Sequence, residues 1–105
     1  MSDLYLQHLC QSFRRNHNCE AEHVETVPVV QRKRGKEVWK GNVEVFNLKG
    51  NPQAIRGYAW TVDRLNAIET TTVLKMPPVD SPKTAVQSTI NKRLKTQLGA
   101  DYETI

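Results

Sequence analysis

From residue 38 the chain reads VWKGNVEVFNLKGNPQAIRGYAWTV, with apolar residues at every second position over much of its length. Trp39, Val43 and Val45 share one face of an extended segment, with Gly41 between them, and Lys40, Asn42 and Glu44 share the other. A period of two marks a strand with one buried face. Phe46 and Leu48 break the alternation by falling on the polar side, so either a bulge lies near Val45 or the sheet is covered on both faces at that end. KGNPQA is a turn. After it, Tyr58, Trp60 and Val62 line one face, and Gly57, Ala59 and Thr61 line the other. These small residues leave room for an element to lie close, most economically a helix.

Two more strands flank this pair. VETVPVV, from Val24 to Val30, is rich in β-branched residues, and Pro28, which has no N–H to donate, places it at a sheet edge. QRKRGKE then forms a hairpin loop around Gly35. DRLN turns the chain into AIETTTVLKM, a fourth strand with Ile68, Thr70, Thr72, Leu74 and Met76 on one side.

Helical spacing governs both ends. Residues 3–16 repeat Leu6, Leu9, Cys10 and Phe13 on one side, with Ser2 as the cap, Asp3 at the positive end of the helix dipole, and Arg14 and Arg15 at the negative end. In PPVDSPKTAVQSTINKRLKTQLG, Ser81 is the N-cap, Pro82 suits the first helical position and Gly99 the left-handed C-cap. Ala85, Val86, Ile90, Leu94 and Leu98 form its apolar stripe. The tail, 100–105, is expected to fray.

The order is α-β-β-β-β-α in a single domain, 1–105. Short turns favour a four-stranded antiparallel sheet packed by the N- and C-terminal helices, a two-layer α+β sandwich with the helices on one face. Trp39, Val43, Val45, Tyr58 and Trp60 then point into the covered core. The open face carries Lys40, Glu44, Thr61, Glu69, Thr71 and Lys75, with Phe46 and Leu48 as an apolar spot.

Composition narrows the function. With 105 residues and 38% hydrophobic content, one modest core is possible. No apolar run approaches the roughly 18 residues of a membrane span, so no membrane role is expected. MSDLYLQHLCQSFRR is too polar for a secretory signal, and two cysteines without an export signal read as free thiols, so a cytoplasmic location is expected. The net charge of +4 is gathered rather than spread: Arg32, Lys33, Arg34 and Lys36 in one loop, Arg14 beside Arg15, and Lys92, Arg93 and Lys95 on the last helix.

VPV in the first strand, VWKGNVEVFNLKGNPQAIRGYAW across the hairpin, and VLKMPPVDSPKTAVQSTI into the last helix resemble a group of small, uncharacterised bacterial proteins. A VW-G-VEVF strand, a Gly-His-Pro turn, a YAW strand and a P-VDSP helix start recur there in this order. The likeness spans residues 24 to 90. It implies a shared fold and no activity, and this chain departs from it with Asn51 where the group has histidine.

Candidate chemistry is sparse. His8, Cys10, His17, Cys19 and His23 gather five residues of the two ligand types favoured by zinc, yet they lack a knuckle or paired-histidine spacing, so neither a metal nor any other cofactor is expected. No nucleophile elbow, phosphate loop or dinucleotide fingerprint occurs, and His17 with Cys19 on a connector lacks the fixed geometry of a nucleophile and base. No enzyme is expected. The order of helix, strands and helix with a basic hairpin loop is similar, at the level of fold, to the double-stranded RNA-binding domain, although with an extra strand and only Lys83 at the start of the last helix. The expectation is a small non-catalytic binding module touching nucleic acid through Arg32, Lys33, Arg34 and Lys36. The alternative is a protein-interaction domain or homodimer using the open sheet face and the Pro28 edge.

Overall fold

The computed structural model describes residues 3–64 and 67–98. Its elements follow the expected order: α1 (Asp3–His17), β1 (Glu20–Lys33), β2 (Lys36–Lys49), β3 (Arg56–Arg64), β4 (Ala67–Leu74) and α2 (Pro82–Leu98). The four strands form one antiparallel sheet in the order β1-β2-β3-β4. β1 is an edge strand, and Pro28 sits within it opposite Asn42. The caps expected at Ser2 and Gly99, Leu65 and Asn66 of the β3–β4 turn, and the tail 100–105 lie outside the described residues, as do the side chains of Arg93, Leu94, Lys95 and Leu98.

The helix ends follow local chemistry. α1 closes where Asn18 turns left-handed at φ 51° and its N–H donates to the Arg14 carbonyl at 3.1 Å. α2 opens on a reciprocal cap. The Thr84 N–H donates to Ser81 Oγ at 3.2 Å, and the Ser81 N–H donates to Thr84 Oγ1 at 2.9 Å. Threonine here fills the place usually taken by glutamate in a capping box. Pro82 sits at the first helical position, where its missing N–H costs nothing.

Two cores form on opposite sides of the sheet. Val29, Val43, Val45, Tyr58 and Trp60 pack with Val79, Ala85 and Val86, and Ile90 lies against the set. Trp39 meets Trp60 edge-on, with ring centroids 6.0 Å apart. The intervening positions Phe46, Leu48 and Ala59 pack instead with Leu9, Phe13 and Cys19. Successive strand residues project to opposite faces, so α1 covers one face and α2 the other. The molecule has three layers where the sequence suggested two. The periodicity of a helix specifies which of its sides is apolar, and leaves open which sheet face it meets.

Gly57 decides where α1 goes. A Cβ on this residue would lie 2.6 Å from the Phe13 ring, so only glycine allows the helix so close. The small set Gly57, Ala59 and Thr61 is therefore the floor beneath α1, as its size suggested. Of the two explanations offered for the Phe46 switch, covering on both faces is the one that holds, since β2 alternates without a break through Val45 and the bulge lies in its partner strand. A bulge interrupts β1 between His23 and Glu25, opposite Phe46 and Val45, and the sheet is covered on both faces there. Phe46 and Leu48 are thus buried core and form no exposed spot. Burying side chains such as Phe13, Phe46 and Leu9 stabilises the fold by about 1.5–3 kcal/mol each.

The ladders differ in length. β1 and β2 pair along 14-residue strands up to Lys33 and Lys36, whereas β2 meets β3 only where Glu44–Asn47 face Arg56–Ala59. Beyond that short seam the β1–β2 hairpin runs on without β3 beside it.

Candidate functional site

The free end of the β1–β2 hairpin carries the basic loop. Its turn is Arg34–Gly35 alone, because strand pairing continues to Lys33 opposite Lys36. Both turn residues have positive φ, 53° for Arg34 and 79° for Gly35. A two-residue hairpin with both central residues left-handed matches the twist of its strands, and it favours Asn-Gly. Arginine at the first position carries strain that asparagine would reduce. A second irregularity, where Val38 is passed over between the Gln31–Trp39 and Arg32–Glu37 pairs, turns the last residues before the tip.

The sheet alternation divides the tip charges between its two sides. Lys33 and Lys36 fall on the α2 side; Arg32 and Glu37 fall on the other, together with Lys40. Arg32, Arg34 and Lys36 are exposed and Lys33 is half-buried. α2 begins beside the tip. The Gln31 side-chain amide donates to the Lys83 carbonyl at 3.1 Å, and the Gln87 amide donates to Gln31 Oε1 at 3.2 Å. Gln31 is buried at 1% exposure, so these bonds hold the helix start against the hairpin. The Lys83 backbone therefore lies against Gln31, three residues before the turn.

The other basic groups stand apart. Arg14 and Arg15 stand at the opposite end of β1, where Arg14 approaches Glu20 at 3.8 Å. Lys92 is nine residues beyond Lys83, about 13 Å further along the helix. The link from the Lys83 backbone to the hairpin was invisible in sequence, since it passes through the buried side chain of Gln31. A glutamine within a run of apolar and basic strand residues was the available signal.

The five histidines and cysteines do not converge. His8 Nε2 lies 2.8 Å from Thr70 Oγ1, and His17 Nε2 lies 2.9 Å from Thr72 Oγ1. Cys10 donates to the Ala21 carbonyl at 3.3 Å, and Cys19 is buried. Among the described residues, no three of His, Cys, Asp and Glu are placed to hold a metal ion. Burial pushes both thiols above their usual pKa, more than Arg14 lowers Cys10 or an Asn51 hydrogen bond lowers Cys19. Both are weak nucleophiles at neutral pH. Burial likewise depresses His17, against the opposing effect of its bond to Thr72.

Asn51 is structural in this chain. Its Oδ1 accepts from the N–H groups of Gln53 at 2.7 Å and Ala54 at 2.9 Å, and its amide donates to the His17 carbonyl at 3.3 Å. The turn is tied to the end of α1.

Sequence reading missed the pairing of His23 with Glu44. Glu44, assigned to an open polar face, is fully buried on the α1 side. Its Oε1 accepts from His23 Nε2 and from the Thr26 hydroxyl, while Oε2 has no partner among the described residues. The His23 ring also stands edge-on to Phe46 at 5.4 Å. An open groove of about 530 Å³ runs between α1 and β1 past Leu6, Cys10, Arg14 and Glu20. Among the described residues, no helix is long and apolar enough to cross a membrane. No family model, curated protein or solved structure matches this chain.

Proposed function

We propose that this protein is a small, non-catalytic nucleic-acid-binding module whose contact is the tip of the β1–β2 hairpin. The observation that carries the reading is the placement of Arg32, Lys33, Arg34 and Lys36 on a hairpin end that extends beyond the short β2–β3 seam, with the start of α2 held to the same hairpin by Gln31. A narrow, cationic projection suits a phosphate backbone or a groove. The reading includes a cytoplasmic location, which the two unpaired cysteines favour.

The test is titration of the protein into single- and double-stranded RNA and DNA at low and moderate salt. Neutralising about four phosphates makes affinity fall about 100-fold between 50 and 200 mM salt. The double variant Lys33→Glu, Arg34→Glu should abolish binding. Absence of binding at low salt removes nucleic acid, and salt-sensitive binding that survives the double variant moves the site elsewhere.

A protein partner is the second reading, favoured by one observation. On the α1 side of the distal hairpin, Pro28, Val30 and Val38 are exposed. The open sheet face expected from sequence is not one surface: Glu44 and Thr61 lie on the α1 side, whereas Glu69 and Thr71 fall on the α2 side, opposite Val62 and Trp60. Binding at Pro28, Val30 and Val38 would hardly respond to salt.

A further inference from the structure

The two edges of the sheet are built differently. β1 carries Pro28, a bulge after His23, and charges at Glu20, Glu22, Glu25, Arg32 and Lys33. Prolines, bulges and charges are the devices that keep an edge strand from pairing with another chain. β4 has none of the first two. It runs in unbroken register against β3, from Ala67 opposite Arg64 to Leu74 opposite Gly57, with Glu69 as its only charge and threonine, valine and isoleucine as its chief components.

Its hydrogen-bonding groups can be assigned to sides. The Lys75 N–H donates to the Arg56 carbonyl at 2.9 Å, so Lys75 turns its backbone toward β3. Alternation in an antiparallel ladder then turns Val73, Thr71 and Glu69 inward as well. Thr70, Thr72 and Leu74 turn their N–H and C=O groups outward, to the open edge. The hydroxyls of Thr70 and Thr72 are engaged on the α1 face by His8, Asn16 and His17, which leaves the backbone in the sheet plane uncovered by those contacts. The Leu74 carbonyl accepts from the Met76 N–H at 2.9 Å and keeps a second lone pair.

Counted outward from Thr72, the segment IETTTVLKM is complementary to its own reverse. Thr71 falls opposite Val73, Thr70 opposite Leu74, Glu69 opposite Lys75 and Ile68 opposite Met76. Ile68 is 68% exposed and Met76 36%, large apolar groups left in water at the two ends of the edge.

We infer that β4 pairs antiparallel with β4 of a second copy of this chain, about a two-fold axis through Thr72, to make one continuous eight-stranded sheet. In that register Thr72 bonds to its own copy and Thr70 exchanges bonds with Leu74, so the outward donors and acceptors match. Glu69 faces Lys75 of the other copy twice, and Ile68 covers Met76. The charge match selects this register over one centred on Thr71, which would set Glu69 against Val73. α1 packs its apolar side on Phe46, Leu48 and Ala59 and reaches the axis through Asn16 and His17, which bond to the Thr72 hydroxyl on one face of the sheet and leave the outward backbone groups of β4 in the sheet plane. The pairing is separate from the hairpin tip and goes beyond the nucleic-acid reading.

The experiment is sedimentation equilibrium of the full chain across a concentration series. A reversible dimer is expected. Glu69→Lys and Lys75→Glu should each weaken it about tenfold, since each sets like charges across the ladder twice. The double exchange, Glu69→Lys with Lys75→Glu, should return the dissociation constant to that of the parent chain. Damage to the fold would not be repaired in this way, and circular dichroism melts check that each variant is folded. A monomer at every concentration, a dimer indifferent to the single changes, or a double exchange that fails to restore it would each overturn the inference.

Discussion

His23 Nε2 donates to Oε1 of Glu44 across 2.8 Å, joining a side chain that keeps 28% of its surface exposed to one that keeps 1%. The Thr26 hydroxyl donates to the same oxygen. A buried carboxylate depends on such partners, because removing one leaves an uncompensated polar group out of water. His23→Ala should cost about 3 kcal/mol, the lower end of the usual range, since the imidazole is partly hydrated. The double replacement His23→Leu, Glu44→Met should cost less than His23→Ala alone. Urea melts at neutral pH measure both, and equal losses would show that the pair is not coupled.

Gly57→Ala should destabilise by about 1–3 kcal/mol, because the added methyl has to displace the Phe13 ring or lift α1. Its Cβ would stand 2.6 and 2.9 Å from two ring carbons. Phe13→Leu on the same chain should recover part of that loss. Denaturant melts of the two single variants and the double variant give the coupling, and simple additivity would mean that α1 does not rest on this glycine.

At the hairpin tip, stability and binding should move in opposite directions. Arg34→Asn relieves the left-handed backbone and should stabilise by up to about 1 kcal/mol, as asparagine tolerates that conformation better. The same change removes one tip cation and should weaken nucleic-acid binding and flatten its salt dependence. Thermal melts and a salt titration on one preparation test both halves.

His17 should make α1 docking sensitive to acid. Burial holds its imidazole below the ordinary value of 6.5, so the folded protein takes up a proton less readily there than the unfolded chain. The associated stability is fully present above about pH 6.5 and is lost as pH falls through the depressed folded value. His17→Gln should remove that slope. The stability gap between wild type and variant, followed from pH 7.5 to pH 5, should close on acidification; a constant gap would contradict the assignment.

Much of the fold was legible because one face of each central strand is large and apolar. Val43, Val45, Tyr58 and Trp60 announced their side by period alone, and Ser81 with Pro82 announced the start of α2. The smallness of Gly57 and Ala59 announced a close neighbour, but not that α1 would be the one. Glu44 was illegible for a different reason. A lone glutamate among polar alternates looks solvated, and its burial follows from a helix whose face assignment depends on Gly57. Its partnership with His23 further depends on the β1 bulge, which sets what lies across the ladder from Phe46 and Glu44. The basic loop could be read directly, whereas the link from its hairpin to the Lys83 backbone runs through tertiary contacts that no local pattern records.

The four-residue seam between β2 and β3 has a consequence for how the molecule breathes. Each pair of strands is held by its own long ladder, while the two halves share few main-chain bonds. Opening the seam would break fewer main-chain bonds than unzipping either hairpin, but it would also part both apolar cores, which meet across it. Amide protons within Glu44–Asn47 and Arg56–Ala59 that bond across the seam should therefore exchange with deuterium only when those cores open, later than amides toward the exposed tip of the β1–β2 hairpin. What holds the halves together against it is side chains rather than ladder: Phe13 and Leu9 clamp one face, and Val86 and the Trp39–Trp60 contact clamp the other.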